Sequence, residues 1–169
     1  TASLSAQTVR QPLSALYPAI GAYSKNRADA FSMMINPASL GAMKSSGAGV
    51  YGEHRFLLNA FNQYTAVGGF KTASGSFGVQ ADYFGNKNYN ETQLGLGYGR
   101  SLGSKVDIGV KFNYYNLQIP AYGNAAAFHF EAGVLMHLSE KLHAGMSVFN
   151  PVGGELNKET KEKIAAVYR

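Results

Sequence analysis

Hydrophobic and polar residues alternate along most of this chain, and the clearest run covers residues 105–116. One parity carries only hydrophobic side chains, namely Val106, Ile108, Val110, Phe112 and Tyr114. The other parity carries mostly polar or small residues, namely Asp107, Gly109, Lys111, Asn113 and Tyr115. Because successive side chains of a β-strand point to opposite faces, the run predicts a strand with one apolar and one polar face. It is about twice as long as an ordinary strand and close to the roughly 9 to 11 residues with which a tilted strand crosses a bilayer.

The same two-residue period recurs after residue 45 and predicts eight strands. We place them near residues 47–56, 64–70, 76–84, 92–100, 105–116, 126–138, 142–149 and 164–169. Consecutive strands joined by short links form antiparallel hairpins. The predicted fold class is therefore all-β, with residues 45–169 forming an antiparallel up-and-down transmembrane β-barrel or the amino-terminal half of one.

The links between the predicted strands alternate in length. Short links at 72–75, 101–104 and 139–141 alternate along the chain with longer links at 85–91, 117–124 and 151–161. Alternate links of an up-and-down array lie at opposite ends of its sheet. Outer-membrane barrels show this asymmetry, with short periplasmic turns and longer outer loops, so the links favour a barrel of that kind.

Residues 1–44 lack the two-residue period, and we interpret them as an arm with turns and a short helical piece near 29–34. Pro37 has no N–H to donate to a strand ladder, which argues against a strand around it. The hydrophobic side chains of this part need a surface to cover; they are Phe31, Met33, Met34, Ile35 and Leu40. We therefore expect residues 29–40 to be ordered as a plug inside or across the mouth of the barrel, packed against strands one to three.

Composition narrows the classes of protein that fit. The chain has 169 residues, which suits one domain, and only 15% of them are charged, below the roughly 25% of an ordinary soluble domain. No run of 18 apolar residues exists, which excludes a transmembrane helix, whereas alternating barrel strands give a near-neutral average hydropathy. The net charge of +5 comes from scattered Lys and Arg without a basic run, so we predict no nucleic-acid partner. The absence of Cys excludes disulfides and thiol catalysis.

The alternation also assigns side chains to the two faces of the predicted barrel. We expect the lipid-facing residues of strands five and six to be Val106, Ile108, Val110, Phe112, Phe128, Phe130, Val134 and Met136. The candidate polar residues of the lumen are Gln80, Asp82, Lys111, Asn113, His129 and Glu131. A charge in the middle of a lipid face costs about 2 to 4 kcal/mol, so we expect Val110→Arg to impair assembly more than Asn113→Arg.

Three residues of strand six, His129, Glu131 and His137, share a parity, and His143 lies on strand seven. A metal or acid–base site is one interpretation, and a polar barrel interior is the other. We favour the polar interior, and predict no catalytic residue, metal or cofactor. A barrel enzyme with a Ser and a His on its rim, or a soluble β protein, stays open as a third class.

The glycines of Gly95-x-Gly97-x-Gly99 resemble part of a dinucleotide-binding loop. Leu96 and Tyr98 continue the strand period, however, and no helix follows. We therefore interpret the three glycines as small residues that face the lumen.

The stretch D-A-F-S-M-M-I-N-P-A-S-L-G at 29–41, preceded by Gly21-Ala22-Tyr23, resembles the amino-terminal signature of the PorV/PorQ and FadL-like outer-membrane β-barrel superfamily. In that signature a small-residue stretch and an acidic-Ala segment lead to Asn-Pro-Ala-x-Leu before the first strand. The residues that carry the motif here are Asp29, Phe31, Asn36, Pro37 and Leu40. The hairpins that follow look like those of Bacteroidetes-type members.

The resemblance implies a Gram-negative outer-membrane barrel of about fourteen strands with an amino-terminal plug. FadL-like members pass hydrophobic compounds, and PorV and PorQ serve the type IX secretion system. The implied partners are outer-membrane lipid and either a hydrophobic ligand or secretion-system proteins. The chain departs from the family by ending after about seven and a half predicted strands, at Arg169 and not at an aromatic residue. We expect either a truncated barrel or a smaller one; residues 1–6 are either the remnant of a secretory signal or part of the arm.

Overall fold

The computed structural model of the chain describes residues 28–54, 62–120 and 123–150, together with strand residues 154–157, 162–164 and 167–168. Several sequence-based expectations fall outside these residues. They concern the arm before residue 28 with its secretory-signal remnant at 1–6, the Gly21-Ala22-Tyr23 part of the motif, the end of the first strand at Phe56, and most of the link at 151–161.

The described residues form strands wherever the two-residue period predicts them. The strands are β1 Gly47–His54, β2 Asn62–Thr72, β3 Gly75–Asn86, β4 Tyr89–Leu102, β5 Val106–Ile119, β6 Gly123–His137, β7 His143–Phe149, β8 Gly154–Asn157, β9 Glu162–Ile164 and β10 Val167–Tyr168. Strands β3 to β6 have 12 to 15 residues, longer than the sequence pattern alone indicated. The all-β prediction is confirmed.

The strands pair in chain order into one antiparallel sheet, β1-β2-β3-β4-β5-β6-β7-β10, while β8 and β9 form a separate two-stranded sheet. Within the described residues the large sheet is open, because β1 and β10 are its edges and do not pair with each other. The all-β part of the prediction holds for the described residues, whereas they do not form a closed barrel. Of the described residues in the predicted eighth strand at 164–169, Val167 and Tyr168 pair with β7, whereas Ile164 belongs to β9.

One predicted long link is wrong. Residues 85–91 are mostly strand, and the connection between β3 and β4 is a turn of only two residues, Lys87 and Asn88. The side-chain oxygen of Asn86 accepts hydrogen bonds from the backbone N–H groups of Asn88 (2.8 Å) and Tyr89 (3.1 Å). Such an Asx turn closes the hairpin tightly. The link expected at 117–124 is likewise shortened, because β5 continues to Ile119 and β6 begins at Gly123.

The two faces of the sheet differ as the alternation predicts. On β5, Phe112 is 60% exposed whereas its neighbour Lys111 is 1% exposed. We call the face of Phe112 the open face and the face of Lys111 the covered face. All eight residues expected to face lipid lie on the open face, where they are exposed or half-buried.

Aromatic pairs on the open face fix the register between neighbouring strands. Their ring centroids are 5.0 to 5.3 Å apart in the pairs Phe77–Tyr98, Phe112–Phe130 and Tyr114–Phe128. Each pair joins residues that lie directly opposite each other in the ladder. Cross-strand aromatic contacts of this kind contribute about 0.2 to 1 kcal/mol each, and a slip of one residue would lose all of them.

Two short helices lie before β1 in the described residues. A 3-10 helix, Ala30–Met34, is capped by Asp29, whose carboxylate accepts a hydrogen bond from the Ser32 N–H at 3.0 Å. The helix expected near 29–34 is thus confirmed, and the helix α1, Ser39–Ala42, was not predicted. Among the described residues, no helix is long and apolar enough to cross a membrane.

Candidate functional site

Residues 29–43 lie across the covered face of the sheet; we call them the crossing segment. They contain both short helices and no strand. Three of its side chains, Met33, Leu40 and Met43, form a buried apolar cluster between the segment and the sheet. Because burying one such side chain stabilises a fold by about 1.5 to 3 kcal/mol, the cluster holds the segment on the sheet.

Glycines of the sheet make room for the crossing segment. A Cβ atom added to any of them would overlap or press on an atom of the segment, in the pairs Gly49–Phe31, Gly69–Met43, Gly78–Met33, Gly97–Leu40, Gly99–Leu40, Gly109–Pro37 and Gly133–Asn36. The ladder places several of these glycines side by side, with Gly69 opposite Gly78 and Gly99 opposite Gly109. Together they form a groove with a backbone floor, which we call the glycine groove. Gly97 and Gly99 thus face the covered side, where the sequence placed them.

The crossing segment reaches further across the sheet than the sequence predicted. We expected it against strands one to three, but its contacts run from Gly49 on β1 to Ser147 on β7, whose hydroxyl donates a hydrogen bond to the Ile35 carbonyl at 3.3 Å. Asn36 fastens the segment to β6, since its side-chain amide donates a hydrogen bond to the Val134 carbonyl at 3.4 Å and accepts one from the backbone N–H two residues further on at 3.0 Å. The reason for the longer reach is the row of glycines on β4 to β6, which offers more room than the first three strands.

A network of buried polar side chains lies next to the crossing segment on the covered face. Its centre is the Lys111–Glu131 ion pair, with Nζ and Oε1 3.0 Å apart and both side chains at most 2% exposed. The Asn113 side chain donates to the same Glu131 oxygen at 2.9 Å and accepts from Gln93 Nε2 at 3.0 Å. A buried ion pair is tolerated because further hydrogen bonds satisfy its remaining polar atoms.

The network continues towards β2. Lys111 Nζ donates to Gln80 Oε1 at 3.2 Å, and the Gln80 amide donates to the Asp82 carboxylate. Asp82 also accepts a hydrogen bond from Thr65 Oγ1 at 2.6 Å. The structure thus brings together five of the six predicted lumen residues, Gln80, Asp82, Lys111, Asn113 and Glu131. Thr65 and Gln93 were missed, although their parity on β2 and β4 points to the covered face.

The sixth predicted residue, His129, lies on the covered face beside an apolar cluster. Its ring centroid is 4.7 Å from that of Phe149. Phe149 packs with buried Tyr115 and Ala127, and half-buried Leu117 covers them. This apolar cluster lies on the side of the polar network away from the crossing segment, because Tyr115 and Leu117 follow Asn113 along β5 in that direction.

A second polar group lies at the opposite end of the sheet, near the short turns. His137 Nε2 is 2.6 Å from Asp107 Oδ2, and His137 Nδ1 is 3.0 Å from His143 Nδ1. The Ser101 hydroxyl lies within hydrogen-bond distance of the Asp107 carboxylate and, at 3.0 Å, of the Gly41 carbonyl of the crossing segment. The alternation placed Asp107 and His137 on polar parities of their strands, but it gave no signal for the contact between them, since they are 30 residues apart.

The four residues that share a parity on β6 and β7 do not form one site. His129 lies beside the apolar cluster, Glu131 belongs to the polar network, and His137 and His143 lie near the short turns. His129 and His137 are eight residues apart on β6, which corresponds to about 26 Å along a strand. Within the described part of the chain, no group of three or more His, Cys, Asp or Glu side chains converges on a metal position. Ser101 contacts Asp107 and not an imidazole, so the geometry around it does not resemble a serine nucleophile with its base.

Fold and site together define an all-β protein with one antiparallel sheet, an apolar exposed face, and a polar face covered by an amino-terminal segment. Comparison with protein-family models, with curated proteins and with solved structures finds no match to this chain.

Proposed function

We propose that the sheet is the amino-terminal part of a closed outer-membrane β-barrel that binds or passes a hydrophobic small molecule. One observation carries the proposal: the distribution of polarity is the reverse of that in a water-soluble sheet. Large hydrophobic side chains are exposed on the open face, with Phe128 at 76% and Leu96 at 59%, while Lys111 and Glu131 are buried on the other. A barrel with lipid outside and a polar lumen requires this arrangement.

The extent of the exposed apolar face supports contact with lipid. The strongly exposed hydrophobic residues occur on every strand from β1 to β7 and include Val50, Phe70, Phe77, Leu96, Phe112, Phe128 and Met146. Soluble monomers rarely expose a continuous apolar surface of this size. Among the described strands, β1 and β10 each pair with one neighbour only. In this proposal further strands continue the ladder at these edges, since a membrane sheet must close.

The layering of the covered face supports a passage for a hydrophobic compound. In this proposal the crossing segment is the plug, and the polar network surrounds it on the lumen side. The apolar cluster of Tyr115, Ala127, Phe149 and Leu117 lies beyond the network, and its half-buried member Leu117 offers an apolar contact for the ligand. Ligand pockets are mostly apolar with a few placed polar groups, which this combination provides.

The test uses the complete protein, refolded into lipid vesicles, with a fluorescent long-chain fatty acid as the probe. We expect insertion, saturable probe binding, and weaker binding by Leu117→Gln, because Leu117 lies on the apolar cluster. Leu102→Gln is the matched control, since Leu102 is exposed on the open face next to a turn. Deletion of residues up to Leu40 should leave an inserted barrel with changed permeability, because it empties the glycine groove.

Two outcomes decide against the proposal. If the protein stays in water as a folded monomer and does not enter vesicles, the proposal of a membrane barrel is wrong. If the protein enters vesicles but Leu117→Gln and Leu102→Gln bind the probe equally well, the proposed ligand contact at Leu117 is wrong. Insertion without probe binding, together with co-purification of type IX secretion components, would favour the accessory role instead.

A further inference from the structure

Two histidines face each other across the ladder between β6 and β7. His137 and His143 are direct partners in the register, and their Nδ1 atoms are 3.0 Å apart. The two rings are nearly perpendicular, with an interplanar angle of 83°. Perpendicular rings let two imidazole nitrogens approach one point without a clash between the ring edges.

The hydrogen bond to Asp107 decides which nitrogen of His137 is available. Asp107 Oδ2 lies 2.6 Å from His137 Nε2, and both side chains are at most 5% exposed. A carboxylate only accepts, so Nε2 carries a proton, and in the neutral form of the ring Nδ1 keeps a lone pair. That lone pair is directed towards His143. Metal-binding histidines have this arrangement, in which the second ring nitrogen donates to a carboxylate.

The spacing of the two nitrogens fits ligands of one metal ion. With bonds of about 2.0 to 2.1 Å, two nitrogens at a right angle around a metal are about 2.9 Å apart, and at a tetrahedral angle about 3.3 Å. The observed 3.0 Å is close to the right-angle value. Adjacent ligands at right angles are typical of tetragonal Cu(II) and Ni(II) sites with nitrogen and oxygen ligands.

We propose that His137 and His143 bind a divalent transition metal ion, with Cu(II) as the best fit, and that Asp107 orients His137 for it. No third protein ligand converges there among the described residues, so water completes the coordination. His143 is half-buried and lies at the start of β7 beside the turn at 139–142, which gives water and metal access. The site depends on this cross-strand pair and not on the sheet being part of a barrel.

The site would also connect a metal to the crossing segment. Asp107 neighbours Ser101, and the Ser101 hydroxyl lies 3.0 Å from the Gly41 carbonyl. Metal bound to His137 strengthens the His137–Asp107 contact, because the ligated imidazole is a better donor. Binding therefore stabilises the end of the crossing segment that lies nearest the short turns.

The experiment is titration of the refolded full chain with CuSO₄, followed by calorimetry and by electron paramagnetic resonance. We expect one tightly bound equivalent whose spectrum shows two nitrogen ligands. His143→Gln should abolish this binding while keeping a polar side chain that supports folding. Asp107→Asn should weaken it about 10- to 100-fold, as loss of a supporting carboxylate does at other metal sites. His129→Gln is the control and should bind as the parent does.

The competing explanation is a simple hydrogen bond in which one Nδ1 donates to the other. It predicts that the parent chain binds no copper with two-nitrogen coordination. The same conclusion follows if His143→Gln, shown to be folded by circular dichroism, binds copper as tightly as the parent. Either result overturns the proposed site.

Discussion

The carbonyl oxygen of Pro37 lies against Gly109 so closely that a methyl group on residue 109 would overlap it. The contact joins backbone to backbone, since Pro37 O, Pro37 C and Ala38 N all lie within reach of that methyl position. Neither partner has a flexible side chain that could move aside. The crossing segment can therefore lie directly on the backbone of β5 because Gly109 has no side chain.

Gly109→Ala should accordingly destabilise the crossing segment. Overpacking of a close contact costs about 1 to 3 kcal/mol, and here the segment must lift because the clash is with backbone. The measurement is the free energy of unfolding in denaturant, combined with protease susceptibility of residues 29–43. Gly47→Ala is the control, because a Cβ there meets nothing within 4 Å. Equal behaviour of the two variants would show that the segment does not depend on the glycine groove.

Lys111→Met should be strongly destabilising. It leaves Glu131 buried without its cation, and breaking a buried ion pair from one side costs about 3 to 5 kcal/mol. The double variant Lys111→Met with Glu131→Gln should recover much of the loss, since Gln has no charge and still accepts from Asn113. Denaturation of all four members of the cycle measures the coupling. A double variant no more stable than Lys111→Met would contradict the role assigned to the ion pair.

The proposed lipid contact of the open face predicts that Val110→Arg impairs assembly into vesicles, because a charge in the middle of a lipid face costs about 2 to 4 kcal/mol. The structure shows that Asn113→Arg is not a suitable control for this variant. Asn113 is 1% exposed and bonded to Gln93 and Glu131, so arginine at 113 would itself disrupt the polar network. Gln118→Arg is the better comparison, because Gln118 is exposed on the open face beyond the apolar residues of β5. Similar folding yields for the two variants, read from vesicle-bound protein, would argue against a lipid face.

Asp29→Ala should loosen the start of the crossing segment. Asp29 caps the 3-10 helix through the Ser32 N–H, and loss of such a cap costs about 1 kcal/mol. Asp29→Asn keeps a side-chain oxygen for the same bond and should lose little. Hydrogen exchange of the Ser32, Ile35 and Asn36 amides reports the change, since all three are bonded within this turn. Equal protection in both variants would mean that the cap does not hold the helix.

The sequence by itself determined the strands and the two faces of the sheet. Alternation is a local property, because the side chains of a strand point to opposite faces in turn whatever the strand pairs with. Val110 and Lys111 could therefore be assigned to opposite faces from their neighbours alone. The same argument placed Gln80, Asn113 and Glu131 together, since strands in an up-and-down sheet pair in chain order.

Only the tertiary structure decided where the crossing segment lies and what the polar groups contact. Its reach to Gly133 depends on glycines of six strands that become a groove only after the ladder aligns them. The contact of Asp107 with His137 likewise needs the β5–β6 register, and that of His137 with His143 needs the β6–β7 register. Asp107 and His137 are 30 residues apart, so their contact depends on packing between distant parts of the chain. His137 and His143 are only six residues apart, but whether they lie opposite each other depends on the conformation of the turn between them, which the alternation does not specify.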